Sequence, residues 1–435
     1  MDASKPRRLT TFSWILYDFA NTIYSMNVVT MYFSTWIVVD LGRGDRVVGT
    51  ANSLSMIFVA LTLPILGEIS DRFQRRMPFL FIYTLACVLA TIGIGVIGQT
   101  GLDIGIKILW AVLLYIVANY AYQGGLVFYN SLLPYVCTPR SIGRVSGYGV
   151  ALGYFGSIFG LIIALPFVEG SLYGLKIPFI EAGGSVAAFV PSGLLFMVFA
   201  IPIFIFVKDP ASTSSQFNHT INIKESFSKV WDSLSNTRKY PGVTRFLVAK
   251  YFYEDAIQTI IIFMAVYAQK VMGFSKGETT TFFIIVIPFA IIGSALCGIV
   301  TDHFGPKKTL MIVLFGWIIA LSLLIMTMNI TVFWILSASV GIFMGSTWTA
   351  ARPLLISLVP QKMLGEFFGL YSFSGKLAAI AGPLIWSVVV DVFNDRGDVF
   401  KYKAAIFSLL ILMLIGIWIL RKVPNIWSKE NILVE

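Results

Sequence analysis

The chain has 435 residues, 57% hydrophobic and only 12% charged, with a mean hydropathy of +0.82. Soluble globular domains carry about 25% charge, so the composition excludes a soluble fold and marks an integral membrane protein. The net charge of +10 invites a nucleic-acid reading, which the placement of the basic residues excludes.

A spanning helix needs roughly 20 mostly apolar residues. Twelve such runs occur, near 12–39, 46–66, 78–98, 106–133, 145–168, 186–207, 245–270, 280–300, 309–328, 331–356, 366–390 and 403–420. The run after Arg7-Arg8 is too long, and too polar in its middle, for a cleaved signal peptide, and reads as the first helix. With the N-terminus inside, 20 of the 32 Lys/Arg fall in inner segments and nine in outer ones. This positive-inside asymmetry puts both termini in the cytoplasm. It is a signature of topology and of contact with membrane lipids rather than of DNA. Lys250, Arg352 and Lys376 lie within the runs themselves.

Helix 1 carries Asp18, Asn21, Thr22 and Ser25 at intervals of three, one and three, which is one helical face. After helix 2 comes Gly67-Glu68-Ile69-Ser70-Asp71-Arg72-Phe73-Gln74-Arg75-Arg76. Helix 4 offers Asn119, Gln123 and Asn130. Helix 5 carries Gly149, Gly153, Gly156 and Gly160, small residues whose spacing lets membrane helices touch closely. The polar stretch 208–244 divides the runs six and six. It opens with Lys208-Asp209-Pro210, and its Ile223, Phe227, Val230, Trp231 and Leu234 recur at helical spacing, as in an amphipathic surface helix. That helix reads either as a tether between two halves or as a partner site.

Helix 7 places Lys250, Glu254 and Gln258 along one face with Asp255 beside it; Lys250 and Glu254 are four apart and suit an ion pair, which leaves Asp255 the freer acid. After helix 8 comes Gly298-Ile299-Val300-Thr301-Asp302-His303-Phe304-Gly305-Pro306-Lys307-Lys308, a second copy of the earlier loop pattern 231 residues on. Helix 10 holds Thr349 and Arg352, and helix 11 holds Lys376. Two further correspondences follow in the same order. Residues 17–23 lie on 253–259, and Gly143-Arg144-x-x-Gly147 lies on Gly365-Glu366-x-x-Gly369. Repetition at half the chain length implies duplicated architecture. The expected class is therefore an all-α integral membrane fold, twelve transmembrane helices in two pseudo-symmetric halves, 1–207 and 245–435.

Cys87, Cys137 and Cys297 show neither disulfide nor metal-ligand spacing. His219 and His303 fall in cytoplasmic loops. No catalytic triad, phosphate loop or metal cluster is visible, so neither an enzyme nor a cofactor is expected.

Twelve runs, two halves and the twice-used loop resemble the major facilitator superfamily across essentially the whole chain. Its loop pattern is Gly-x-x-x-Asp-Arg-x-Gly-Arg-Arg/Lys. In the first copy Gln74 replaces the second glycine; in the second, His303 replaces the arginine and Pro306 displaces the basic pair. The resemblance implies that Gly67, Asp71, Arg72, Arg75 and Arg76, with Gly298, Asp302, Lys307 and Lys308, tether helix ends and gate the conformational cycle. It also implies that helices 1, 4, 7 and 10 line a central path. Within the superfamily, Trp14-x-x-Tyr17-Asp18-Phe19-Ala20-Asn21-x-x-Tyr24 resembles the signature of fungal vacuolar amino-acid effluxers linked to autophagy and their bacterial relatives. The compact linker is more like the bacterial members, which implies a bacterial inner membrane. Tyr120 stands where drug antiporters carry an arginine before Gln123-Gly124, and helix 5 has no proline before Pro166; both depart from multidrug antiport.

A charge near the bilayer centre costs on the order of 3 kcal/mol, so such residues face a cavity or a partner. Low dielectric disfavours an ionised carboxyl group, which suits it to proton exchange. Asp18, Glu254 and Asp255 are the candidates for proton coupling, and a structural carboxylate is the alternative for Asp18. Arg352 and Lys376 suggest an anionic group on the substrate; for Arg352 a gate or lipid contact competes, and for Lys376 a pair with Asp18 or Asp255. Asp18, Asn21, Tyr24, Asn119, Gln123, Gln258, Arg352 and Lys376 form the expected substrate site. The expectation is a monomeric secondary transporter of small polar solutes, amino acids or small carboxylates, working by alternating access. A lipid or lysolipid translocator and a non-transporting receptor are the alternatives.

Overall fold

The computed structural model describes residues 8–43, 46–172, 175–176, 178, 180–209, 241–274 and 276–427. Twelve long helices organise them. They are α1 (Arg8–Asp40), α2 (Arg46–Phe73), α3 (Met77–Gln99), α4 (Ile104–Ser131), α5 (Ile142–Glu169) and α6 (Phe189–Phe206), then α7 (Pro241–Lys270), α8 (Lys276–Phe304), α9 (Pro306–Met326), α10 (Ile330–Leu358), α11 (Leu364–Val392) and α12 (Asp398–Arg421). Among the described residues, eleven of these are long and apolar enough to cross a membrane. The twelfth, α7, has 30 residues, but Lys250, Glu254 and Asp255 sit together near its middle and lower its apolar character. It begins at Pro241, four residues ahead of the expected start. Residues 210–240, including the amphipathic stretch from Ile223 to Leu234 and His219, lie outside the described residues.

Local chemistry sets the helix ends. The Asp103 carboxylate accepts from the Gly105 amide at 2.8 Å and opens α4, and the Asn329 side chain accepts from Thr331 at 2.8 Å and opens α10; both satisfy amides that have no intrahelical partner. Asp209 accepts from the Arg76 and Met77 amides at 2.7 and 3.0 Å, so the start of the expected linker caps α3. Beyond Tyr24, α1 widens to π geometry over Ser25–Tyr32, and Thr30 Oγ1 donates to the Ser25 carbonyl five residues back at 3.1 Å. Such π segments often accompany function. A two-stranded antiparallel hairpin, Ser171–Leu172 with Leu175–Lys176, joins α5 to α6.

The chain forms two compact units, Met1–Thr138 with Leu152–Ile221, and Pro139–Ala151 with Asn222–Glu435. In the first, α1 packs on α6, α3 on α4 and α6, and α2 on α4. In the second, α7 packs on α12, α9 on α10 and α12, and α8 on α10. Each pairing recurs six helices later, so the duplication read from short motifs extends to the packing. The glycines of α5 serve both units. In the first, a Cβ on Gly153 would stand 2.9 Å from Thr22 Oγ1 and one on Gly160 2.9 Å from Ile23, so this face is where α5 closes on α1. In the second, a Cβ on Gly143 would meet the Gly298 carbonyl at 2.6 Å, where α5 closes on α8. Small residues permit both approaches.

Candidate functional site

Each unit builds its own polar assembly inside its helices. In the first, Asp18 and Asn21 are 5% and 3% exposed. Thr22 Oγ1 turns back to the Asp18 carbonyl at 2.8 Å. Aromatic side chains stiffen the same helix: Trp14 Nε1 donates to the Tyr129 carbonyl at 3.0 Å and its ring stacks on Tyr129 at 4.4 Å. The Tyr17 hydroxyl shares a hydrogen bond of 2.7 Å with Thr84. Tyr24 is fully buried, its ring 5.0 Å from Tyr122. Asn119 donates to Ser55 Oγ at 2.7 Å and Asn52 Oδ1 at 3.3 Å, while its own Oδ1 has no partner among the described residues. Gln123, one turn on, is also buried. Tyr120 accepts from Thr62 at 2.9 Å and lies 3.3 Å from the Tyr83 hydroxyl. A neutral hydroxyl network thus occupies the position where drug antiporters carry their arginine.

In the second unit, α7 and α11 hold a denser cluster. Lys250 pairs with Glu254, both buried, as their spacing predicts. The Lys250 ammonium also lies 4.0 Å from the centre of the Tyr371 ring, a cation–π contact. A Cβ on Gly375 would stand 2.7 Å from Lys250 Nζ, so glycine there lets the pair sit against the α11 backbone. Lys376, half-buried, is in electrostatic reach of Glu254 and Lys250, and Arg352, half-buried on α10, is in reach of Tyr371. Asp255 does not join the pair. Its Oδ1 accepts from the Gly382 amide at 2.7 Å, and its Oδ2 and the nearby Thr259 Oγ1 are buried without partners among the described residues. Gln258 is half-buried. Lys250, Glu254, Arg352 and Lys376 therefore come together in one unit, with Asp255 set on a separate contact.

The two loop copies share a positive φ at the second-glycine position. Gln74 has φ +51° and Gly305 has φ +86°, so the second-glycine position is left-handed in both. Gln74 occupies it at a steric cost that glycine does not incur, and its Nε2 donates to the Asp71 carbonyl at 2.5 Å. In the first copy Arg76 is wholly buried and pairs with Asp71 at 2.7 Å. The Arg76 guanidinium also lies 5.0 Å from the Tyr135 ring. Burial raises the Tyr135 hydroxyl above its ordinary pKa, and Arg76 opposes that rise. Arg72 reaches Glu68 at 3.8 Å, Gly67 is buried, and Arg75 is exposed. In the second copy Asp302 accepts from the Gly143 and Arg144 amides at 2.7 and 3.2 Å and from Arg144 Nε at 2.8 Å. A carboxylate at the N-terminus of α5 is favoured by unpaired amides and the helix dipole. Lys307 Nζ donates to the Arg421 carbonyl at 3.0 Å and so closes the C-terminal end of α12. Lys308 and His303 are exposed.

Sequence reasoning missed Tyr371, Thr259, Gly382 and Ser55. Tyr371 and Gly382 act through partners more than 100 residues away, and no local pattern announces them. Thr259 sits four residues after Asp255 and was legible as a polar residue on the same helical face.

The Vacuole effluxer Atg22 like family profile matches residues 47–143 and 139–431. The chain is 28% identical to the MFS-type transporter YxiO of Bacillus subtilis, over 96% of this chain and 95% of that one. It is 26% identical to autophagy-related protein 22 of Kluyveromyces lactis, over 83% and 76%. Among solved structures, a bacterial homologue of the iron transporter ferroportin superposes with a TM-score of 0.70 at 14% identity, covering 95% of this chain and 98% of that one. The proton:xylose symporter XylE gives 0.69 at 14%, covering 96% and 95%. These structures share the fold. A duplicated twelve-helix architecture, the two left-handed loop turns and the family match lead to one conclusion: the chain belongs to the vacuole effluxer Atg22-like family of major facilitator transporters.

Proposed function

We propose that this transporter moves small polar solutes bearing a carboxylate, amino acids among them, by alternating access of its halves 1–207 and 245–435 with proton coupling. The observation that carries this reading is the charge cluster of α7, α10 and α11, buried on α7 and half-buried on α10 and α11. Lys250 is neutralised by Glu254, while Lys376 and Arg352 bring two further cations to helices that cross the membrane. Charged groups gathered where charge is costly suit a charged ligand, and the Lys376 and Arg352 side chains suit an anionic group on it. Asp255, with one buried oxygen lacking a partner among the described residues, and Asp18, buried in α1, supply carboxyl groups for proton exchange. In a bacterial inner membrane with both termini cytoplasmic, the loop pairs of Asp71 and Asp302 would face the cytoplasm.

Counterflow in proteoliposomes, across a panel of amino acids and organic acids, tests the reading. Exchange of carboxylated solutes is expected, and exchange of no solute by demonstrably folded protein would overturn it. A pH step is expected to drive uptake in the wild type, and the response is expected to be lost in Asp18→Asn or in Asp255→Asn. A full response in both variants would remove these acids from the coupling.

A further inference from the structure

At the end of the second unit where α11 turns into α12, a groove of about 740 Å³ runs down the face of α12. That volume is in the range of sites for sizeable small molecules. Its two ends differ in chemistry. At the turn stand two cations, Arg396 in the connecting loop and Lys403 on the second turn of α12. Phe400, one turn before Lys403, and Ala404, Phe407 and Ile411 after it continue along the same face at helical spacing. Ala404 is the small residue of this row, between Phe400 and Phe407. From Phe400 to Ile411 the face extends about 16 Å, at about 1.5 Å per residue.

No acidic side chain among the described residues lines the groove. Among the described residues neither Arg396 nor Lys403 has an ion-pair partner, whereas the neighbouring Lys401 is committed to Asp398 at 2.8 Å and to Asn394 at 3.0 Å. Asp398 thus engages Lys401 rather than either groove cation, while Asp391 and Asp395 of the same connection form no ion pair with them among the described residues. Lys403 is half-buried and lines the groove; a lysine there can lay its apolar stem on apolar surface while its ammonium stays in polar surroundings.

We propose that this groove is a binding site for an anionic phospholipid of the surrounding bilayer. The phosphate sits between Arg396 and Lys403, and one acyl chain lies along Phe400, Ala404, Phe407 and Ile411. Charge complementarity selects this occupant. A zwitterionic lipid brings its own cation to the same two positive groups, and a soluble anion makes no use of a 16 Å apolar trough. The site is independent of the solute site: it belongs to α11 and α12 alone at its charged end, and its occupancy does not depend on what is transported.

The test uses the full purified chain in mixed micelles titrated with phosphatidylglycerol, phosphatidylcholine or glycerol phosphate. Lipid retention is read by native mass spectrometry and stabilisation by the thermal midpoint. Wild type is expected to retain phosphatidylglycerol over phosphatidylcholine by roughly thirtyfold, about fivefold per cation. Arg396→Gln/Lys403→Gln is expected to abolish that preference, while Lys176→Gln/Lys362→Gln, the same charge change at exposed sites elsewhere, leaves it intact. Arg396→Gln alone, in an exposed loop that tolerates substitution, is expected to lower it about fivefold. Ala404→Leu fills the trough and is expected to weaken phosphatidylglycerol retention with both cations in place. Equal retention of the two lipids by wild type, undiminished preference in the Arg396/Lys403 double variant, or displacement of lipid by glycerol phosphate at equal concentration would each overturn the proposal.

Discussion

Glu254→Gln probes the cluster on which the transport reading depends. The Lys250 side chain is 2% exposed and that of Glu254 11%, so solvent screens the pair little. Removing one member of a buried ion pair costs about 3–5 kcal/mol, because the remaining charge is stranded. The Lys250 contact with Tyr371 at 4.0 Å is present in both forms and cancels, so the expected net loss is about 3–5 kcal/mol. Lys250→Met strands Glu254 instead, but Lys376 stands in electrostatic reach of that carboxylate, and the expected loss is smaller, about 1–2 kcal/mol. The double variant leaves no stranded charge and should lie within about 1 kcal/mol of wild type. Denaturant unfolding in mixed micelles, run as a double-mutant cycle, reads these differences. If the double variant loses as much as the two single variants together, the residues do not act as a pair, and the reading that Glu254 is committed to Lys250 fails with it.

Other variants address the supporting contacts. Gly382→Ala places a Cβ 2.7 Å from Asp255 Oδ1 and against Thr259; overpacking of this kind costs about 1–3 kcal/mol, measurable in the same unfolding assay, and a neutral result would mean that α7 and α11 are not held together there. Asp302→Ala removes the cap on α5 and should cost about 0.5–2 kcal/mol, whereas Arg144→Gln, whose side chain is 47% exposed, should cost no more than about 1 kcal/mol. Equal losses would show that the ion pair, not the helix cap, is what Asp302 contributes. Gly305→Ala forces a side chain into φ +86° and within 2.8 Å of Trp427, so it should lower the thermal midpoint more than Gly101→Ala, where nothing lies within 4 Å.

Much of this architecture was legible because hydropathy and repetition act over long windows. Twelve runs gave twelve helices, and the 231-residue repeat of the loop motif anticipated pairings that recur six helices apart. Local spacing was also enough for Lys250 and Glu254, since residues four apart share a helix face. What the sequence could not convey is contact at long range. Asp302 was assigned to a helix terminus by resemblance, but that the terminus is Gly143-Arg144, 159 and 158 residues earlier, is a property of the folded chain. Gln74 departs from the family pattern, yet its backbone keeps the positive φ that glycine normally provides. The charges of α7 weakened its apolar signal as a span.

The central claim is that Lys376 and Arg352 recognise a carboxylate. Its most direct test is counterflow of an amino acid against its decarboxylated amine and its amide, in wild type and in Lys376→Gln. The account predicts that wild type exchanges the acid and rejects both analogues, and that Lys376→Gln loses at least tenfold of that discrimination, since one charge-assisted hydrogen bond contributes about 1.5–3 kcal/mol. Equal exchange of acid, amine and amide by wild type, or undiminished discrimination in Lys376→Gln, would contradict it.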